Sequence, residues 1–432
     1  MICNNLSIGE NSHLFFAGQD TVRLAEQYKT PLYLMDEDKI REKCRIYQDS
    51  FRAYLPEGSK PLYASKACSF KQIYRIMTEM EMGIDVVSCG EIYTAREAGF
   101  DLTKAYFHGN NKTAEDVAFA MECGVGYFVA DNQAEVDRIE EAAAARALTQ
   151  KVLLRITPGI DPHTYDAVST GKVDSKFGNA IETGQAGEIT GYTLEKKHIE
   201  LCGFHCHVGS QVFEEDVFER TARVMLEFVR SMQDRYGLIT KQLNLGGGYG
   251  VKYVATDAGL DIAEKVKSVG AAVSEACKEL DLTAPEILME PGRSIVADSG
   301  ITLYTAGSVK KIPGYKNYIS IDGGMTDNPR YALYGSRYTC YIANKMAEPC
   351  DMEVTIAGRC CESGDLIQRD VRVPSSVQPG DLVAVCTTGA YNYSMASNYN
   401  RIPRPAVVML KEGRSYIAVH RETYEDLCRN DI

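Results

Sequence analysis

Apolar residues in this chain come in short runs of four to six, each followed by a longer stretch in which they recur every third or fourth position. Runs of that length suit strands buried on both faces, and the longer period suits amphipathic helices. Eight such runs can be read: Leu62–Ser65, Asp85–Ser88, Ala105–His108, Tyr127–Ala130, Val152–Ile156, Gly203–Val208, Gln242–Leu245 and Ile287–Glu290. Helical stretches such as Ala114–Cys123, Gln133–Ala147 and Asp216–Tyr236 separate them. Eight βα repeats predict a TIM-type (β/α)8 barrel; an open doubly wound sheet is the alternative, and the number of units favours closure. Ahead of them lie a short strand, PLYLM, ending at Met35, and a helix over Glu37–Tyr54.

After Arg293 the helical period fades. Segments rich in Val, Ile, Thr and Tyr, among them YISIDGG, MEVTIAG, LIQRDVRVP and AVVMLKEGRSYIAV, alternate with Gly and Pro turns. That texture predicts a β domain. The expected division is a barrel over 36–293 and a β-rich domain from 1–35 and 294–432.

Length and composition narrow the function classes. The chain has 432 residues, 45% of them hydrophobic, enough for two domains without a stabilising metal or disulfide. A net charge of −12 with no basic block argues against a nucleic-acid partner. No stretch approaches the roughly 20 apolar residues of a membrane span, and the first residues lack a secretory pattern. Fourteen scattered cysteines read as reduced thiols of a cytosolic enzyme. Cys202 and Cys206 with His205 and His207 resemble a metal cluster, but strict strand alternation would set the cysteines on the face opposite the histidines. No metal is expected.

The polar residues fall where the expected barrel strands end, the edge on which such barrels build active sites. Strand ends carry Ser65-Lys66-Ala67, Ser88-Cys89-Gly90-Glu91, His108 through Lys112, Arg155, His207-Val208-Gly209-Ser210, Gly246-Gly247-Gly248 and Glu290-Pro291-Gly292-Arg293. Each has a plain reading beside a functional one. A lysine such as Lys66 is ordinarily a solvated surface residue, but among apolar neighbours its neutral amine is favoured and becomes a nucleophile. The glycine run is a tight turn or a backbone cradle for phosphate, to which Gly209 and Ser210 add donors. Glu290 is half of an ion pair with Arg155 or Arg293, or the anionic partner of a protonated pyridine nitrogen. His207 is a core histidine, or a ring lying flat against a planar cofactor.

Taken in order, these motifs resemble the fold-type-III, group IV pyridoxal-phosphate decarboxylases, and within them the diaminopimelate decarboxylase family. YASKA, HCHVGSQ, LNLGGGYG and EPGRS carry the resemblance in the barrel; DNPRYALYG, CESGD and GAYNYSMASNYN carry it in the β domain. It covers almost the whole chain. It implies an alanine racemase/ornithine decarboxylase-like fold and a carboxy-lyase that uses pyridoxal 5'-phosphate to convert meso-2,6-diaminopimelate to L-lysine and CO2, the last step of lysine biosynthesis by that route.

The roles it implies follow motif by motif. Lys66 would hold the cofactor covalently, His207 would stack on its ring, and Glu290 would face the pyridine nitrogen. Ser210, Gly246, Gly247, Gly248, Pro291, Gly292, Arg293 and Tyr391 would surround the phosphate end. Arg293, Arg330, Tyr334 and Tyr391 would bind the substrate's distal carboxylate end, and Glu362 its distal ammonium. Cys361 would be the proton donor, delivered with Glu362 from the second subunit of a homodimer with shared sites. A zwitterionic distal head needs both a cation and an anion, which a simple diamine-forming decarboxylase does not. Glu290 speaks against racemase-like members, which place an arginine at the ring nitrogen, and the presence of every anchoring group speaks against a non-catalytic relative. Cys68, Cys89, Pro329 and Tyr331 depart from the commoner family wording.

Overall fold

The computed structural model describes residues 1–160, 174–214 and 216–432, and its contacts divide the chain into two compact units. The first is a closed parallel barrel. Its strands are β1 (Lys60–Ala64), β2 (Gly83–Val86), β3 (Ala105–Phe107), β4 (Tyr127–Ala130), β5 (Gln150–Thr157), β6 (Ile199–His205), β7 (Gln242–Asn244) and β8 (Glu286–Met289). Each pairs in parallel with the next, and β8 closes on β1 through Leu288↔Lys60 and Met289↔Pro61. Leu62, Tyr106, Val129, Leu153, Cys202 and Leu288 meet as one buried cluster inside it. Filling the interior with side chains makes this a core rather than a pore.

The connecting helices begin where short polar side chains can satisfy their free N–H groups. Thr113 and Asp116 form a reciprocal capping box for Ala114–Glu122, and Asn132 and Asp261 cap Gln133–Ala145 and Ile262–Glu279. Several strands end one or two residues earlier than their apolar runs suggest, because the last residue has another task. Ser65 opens a 3₁₀ turn, and Ser88 caps helix Cys89–Glu97.

Strand β6 departs from strict alternation. Its register against β5 skips between Leu201 and Gly203, a bulge that leaves Cys202 unpaired. Gly203 is required there: its φ is 155°, and a Cβ would lie 1.8 Å from the Gln242 carbonyl oxygen. The bulge resets the odd–even count. Cys202 therefore joins the interior cluster while His205, three residues on, also faces inward against Glu290. The expectation that both cysteines lie opposite the histidines is thus corrected for Cys202.

The second unit comprises Met1–Glu42, Val251–Gly259 and Arg293–Ile432. Its main sheet runs Leu366–Val373, Met352–Ala357, Asn317–Ile321, Gly300–Lys311, Leu32–Asp36, Ala406–Lys411 and Arg414–Val419. Gly300–Lys311 also pairs with Leu382–Cys386, and that strand with Cys340–Ile342. Leu14, Phe16, Leu32, Leu34, Ile301, Leu303, Leu382 and Val408 form its core. Sequence periodicity left 251–259 with the barrel. Its contacts tie it to the β unit instead: Thr339 donates to the Tyr253 carbonyl at 2.8 Å and Thr387 to that of Lys252 at 3.3 Å. None of the fourteen cysteines is in a disulfide.

Candidate active site

Within the barrel unit, the C-terminal strand ends converge on Glu290. Its Oε1 accepts an N–H from Asn244 at 2.7 Å and lies 2.9 Å from His108 Nε2. Its Oε2 lies 3.3 Å from His205 Nε2. The two imidazoles meet edge to face, 4.7 Å between centroids. Burial alone would raise the Glu290 carboxyl, but the two histidines outweigh it and hold it well below the usual carboxylate range. Asp85, 3.9 Å from His108, is pushed the other way by its own burial and by the Glu290 charge. Two carboxyls driven apart mark Glu290 as the anion. Burial also pushes His205 down to about 3, so it is neutral near pH 7 and can donate only through the nitrogen facing Glu290.

His108, His205 and Glu290 place three potential donor atoms within 4.8 Å of one another. This trio differs from the cysteine–histidine cluster considered from sequence. A cation at Oε1 would meet the Asn244 N–H already aimed there, so the arrangement is that of a hydrogen-bonded clasp. Glu290 and Arg155 act on each other through their charges. Arg155 lies 4.0 Å from Asp131 and stacks over Phe177.

Lys66 sits in the turn after β1 and is exposed, so desolvation by apolar neighbours is not what distinguishes it. Its surroundings are electrostatic. Its charge acts on Asp85 and Glu91, and burial first, then this charge and that of Arg155, hold His207 well below the ordinary histidine range. Burial first, and Asp85 with it, raise Glu91 to about 7. The neutral His207 accepts the Gly247 N–H at Nδ1, 3.2 Å away, which leaves its proton on Nε2.

The glycine turn packs without room for side chains. A Cβ at Gly247 would lie 2.2 Å from the Glu290 carbonyl oxygen, and one at Gly248 2.2 Å from that of Gly209. The loops after β6, β7 and β8 are thereby stacked backbone on backbone, with half-buried Ser210 beside Gly209. Gly292 packs equally closely against Ala64 and Ala67, on either side of the Lys66 turn, and Ala64 N–H reaches the Pro291 carbonyl at 3.1 Å. At the next strand ends Lys112 is a brace: its buried ammonium donates to the Gly109 and Val129 carbonyls and to Glu135.

The β unit gathers a different cluster. Arg293 and Arg330 are both buried, and their surroundings are aromatic. Arg293 donates to the Tyr253 hydroxyl at 2.7 Å and Arg330 to that of Tyr338 at 2.8 Å. Both guanidiniums also lie over the rings of Tyr253 and Tyr391. Burial raises the Tyr253 hydroxyl, but the two guanidiniums win and bring it below its ordinary value. Among the described residues, no carboxylate stands within ion-pair distance of Arg330. Tyr334 is 45% exposed at the end of helix Arg330–Tyr334, and Tyr253 and Tyr338 hold the inner positions instead.

Cys361 and Glu362 stand exposed on a loop of the same unit. Asp365 fixes that loop: its two oxygens accept the N–H groups of Met325 and Cys360 at 2.6 and 2.7 Å. One carboxylate thus joins the segment leading to Arg330 with the segment carrying Cys361. Asn400 accepts the Cys361 N–H at 2.8 Å. Sequence reasoning gave no role to Asn244, His205, Tyr253, Tyr338 or Asp365. A polar residue inside the LNL run was a usable signal for Asn244; Tyr253 and Tyr338 had none, since both lie in irregular segments.

Residues 37–297 match the family model described as the pyridoxal-binding domain of the pyridoxal-dependent decarboxylases. The chain is 44% identical to the diaminopimelate decarboxylase of Bacillus subtilis (strain 168), over 98% of this chain and 96% of that one. It is 42% identical to that of Staphylococcus aureus (strain COL), covering 98% of each. The chain belongs to the diaminopimelate decarboxylases. A solved member of this family, from M. jannaschii in complex with L-lysine, superposes with a TM-score of 0.91 at 32% identity, over 100% of this chain and 98% of that one. The Helicobacter pylori decarboxylase with L-lysine gives 0.85 at 29%, covering 95% and 98%. No described helix is long and apolar enough to cross a membrane.

The family's cofactor, pyridoxal 5'-phosphate, suits the residues present. It calls for an amine, a flat neutral ring, a buried anion and a backbone cradle, and the barrel unit carries Lys66, His207, Glu290 and glycines whose Cβ positions are filled by neighbouring backbone. Bound, the group supplies an electron sink for the pair left behind when CO2 departs. The chain's own part is to hold a negative charge at Glu290, present a neutral imidazole at His207 and keep the lysine amine at the rim.

Proposed function

We propose that this protein removes one carboxylate of meso-2,6-diaminopimelate as CO2 and releases L-lysine, with pyridoxal 5'-phosphate held on Lys66. The observation that carries the substrate choice is the pair of buried guanidiniums surrounded by tyrosines. Hydroxyls and ring faces stabilise a cation without neutralising it, so Arg330 keeps its charge for a carboxylate. A substrate whose distal end is only an amine has no use for it. Ser210, the glycine turn, Gly292, Arg293 and Tyr391 take the phosphate end. Arg330, with Arg293, takes the distal carboxylate, with Tyr334 at its outer side, and Glu362 the distal ammonium.

Cys361 acts as proton donor, delivered with Glu362 from the second subunit of a homodimer. Their exposure on a braced loop supports that assignment. The fourteen thiols, none of them in a disulfide, support a cytoplasmic enzyme. CO2 release measured on meso-diaminopimelate, lysine, ornithine and arginine tests the reading. Diaminopimelate is expected to be the favoured substrate by a wide margin, and comparable turnover of ornithine would overturn it. Borohydride should trap the cofactor on the wild-type chain and not on Lys66→Ala; full trapping elsewhere would remove Lys66 from its role.

A further inference from the structure

Asn244 is fully buried at the end of β7, in the middle of an apolar run, and both ends of its side-chain amide are engaged. Its Oδ1 accepts the Gly246 N–H at 2.9 Å, and its Nδ2 donates to Glu290 Oε1 at 2.7 Å. A third bond closes the ring, from the Glu290 N–H to the Gly246 carbonyl at 2.8 Å. The amide cannot be turned over. A backbone N–H is always a donor, so the oxygen must face Gly246 and the NH2 must face the carboxylate. Position 246 requires glycine, because its φ is +71° and a Cβ there would lie 2.5 Å from the Cys206 carbonyl oxygen.

We propose that Asn244 is a positioning residue that uses the Gly246 N–H as a fixed reference to keep Glu290 ionised and to lock its carboxylate to the glycine turn. A donor pressed on Oε1 at 2.7 Å excludes a proton from that oxygen. The result is a mechanical and electrostatic link between the cradle for the phosphate and the anion for the ring nitrogen, two parts that otherwise belong to different loops. The inference rests on the reading of Glu290 as the ring-nitrogen partner.

Asn244→Asp tests polarity with almost no change of shape. It replaces the NH2 by an acceptor 2.7 Å from Oε1, and two carboxylates at that distance cannot both ionise. The Gly246 N–H favours the charged form of the new aspartate, as His108 and His205 favour that of Glu290, so the pair shares one proton and the Glu290 midpoint rises. Asn244→Ala is the second variant, for the case that the first does not fold; it removes one donor and raises the Glu290 midpoint by about one to two pH units.

The readout is infrared titration of the cofactor-free full chain labelled with carboxyl-¹³C glutamate, with Glu290→Gln in each background to identify the band. That control is needed because His108, His205, Asp85, Arg155, Cys206 and His207 also face this carboxyl or its partners. The expected result is an ionised Glu290 in the wild type and a raised Glu290 midpoint in both variants, the larger rise in Asn244→Asp. A Glu290 midpoint unchanged in both variants overturns the inference, whatever the loaded enzyme does. In the loaded enzyme, the pH dependence of the cofactor absorbance should shift and kcat should fall, with substrate KM unaltered. If the infrared change appears while absorbance and kcat stay fixed, Asn244 does hold Glu290 and the ring-nitrogen role of Glu290 fails.

Discussion

Replacing Arg330 by alanine separates substrate recognition from cofactor binding. The guanidinium is 7% exposed, donates to Tyr338 at 2.8 Å and lies 5.1 Å from the Tyr253 ring centroid. Truncating one partner of a buried charged pair costs about 2–5 kcal/mol. Part of what is lost here is the contact with the tyrosines, which remains in the free protein, so the lower half of that range applies. About 2–3 kcal/mol corresponds to roughly a 30- to 150-fold loss in kcat/KM for diaminopimelate. Steady-state CO2 release gives that number, and titration of cofactor-free protein with pyridoxal 5'-phosphate gives the cofactor affinity, which should change less than threefold. The same substitution removes one of the two cations that depress the Tyr253 hydroxyl, so tyrosinate absorbance of Tyr253 should appear at higher pH than in the wild type. Equal losses of cofactor and substrate affinity, or an unmoved Tyr253 titration, would refute the reasoning.

Two further outcomes are expected. If Cys361 completes the partner's site, Lys66→Ala and Cys361→Ala should each be nearly inactive alone. After random subunit exchange, half of the dimers carry one intact site, so about a quarter of wild-type activity returns; confirmed exchange without recovery would place Cys361 in its own chain's site or in none. His205 should make the cofactor-free protein acid-labile well above the carboxylate range. Its folded pKa of about 3 lies below the unfolded value near 6.5, so on acidification the unfolded chain gains a proton that the folded chain refuses. Stability then falls by about 1.4 kcal/mol per pH unit from roughly pH 6.5 downward, whereas the contribution of the depressed Glu290 is lost only at lower pH. Denaturant titrations of wild type and His205→Gln between pH 7 and 4 check this, and identical slopes would rule the histidine out.

Much of the architecture could be read from the sequence because the barrel repeats one simple rule. Eight apolar runs of similar length, nearly all with a polar cluster at the end, place Lys66, His207, Gly246–Gly248 and Glu290 on one rim before any coordinate is known. What could not be read depends on exceptions to periodicity. The bulge at Cys202 changes which residues of β6 face inward, and only backbone geometry reveals it. Tyr253 lies beyond the glycine turn in a segment with no regular period, yet both arginines lie over its ring. The exposure of Lys66 was equally hidden, since apolar letters on either side of a residue say nothing about which way its own side chain leaves the turn. Asp365 looked like the end of a motif and is the brace that holds two loops.

The resetting of the alternation on β6 bears on how such a strand can be copied into another protein. HCHVGSQ is not a portable cassette. Its two histidines face as they do because a glycine two residues earlier absorbs one extra position of chain, and the motif inherits its phase from that point. Grafted onto a regular strand of equal length, the same letters would turn His205 outward, away from Glu290, with every side chain intact and the clasp gone. A search for this chemistry by sequence should therefore demand the glycine and its spacing along with the histidines.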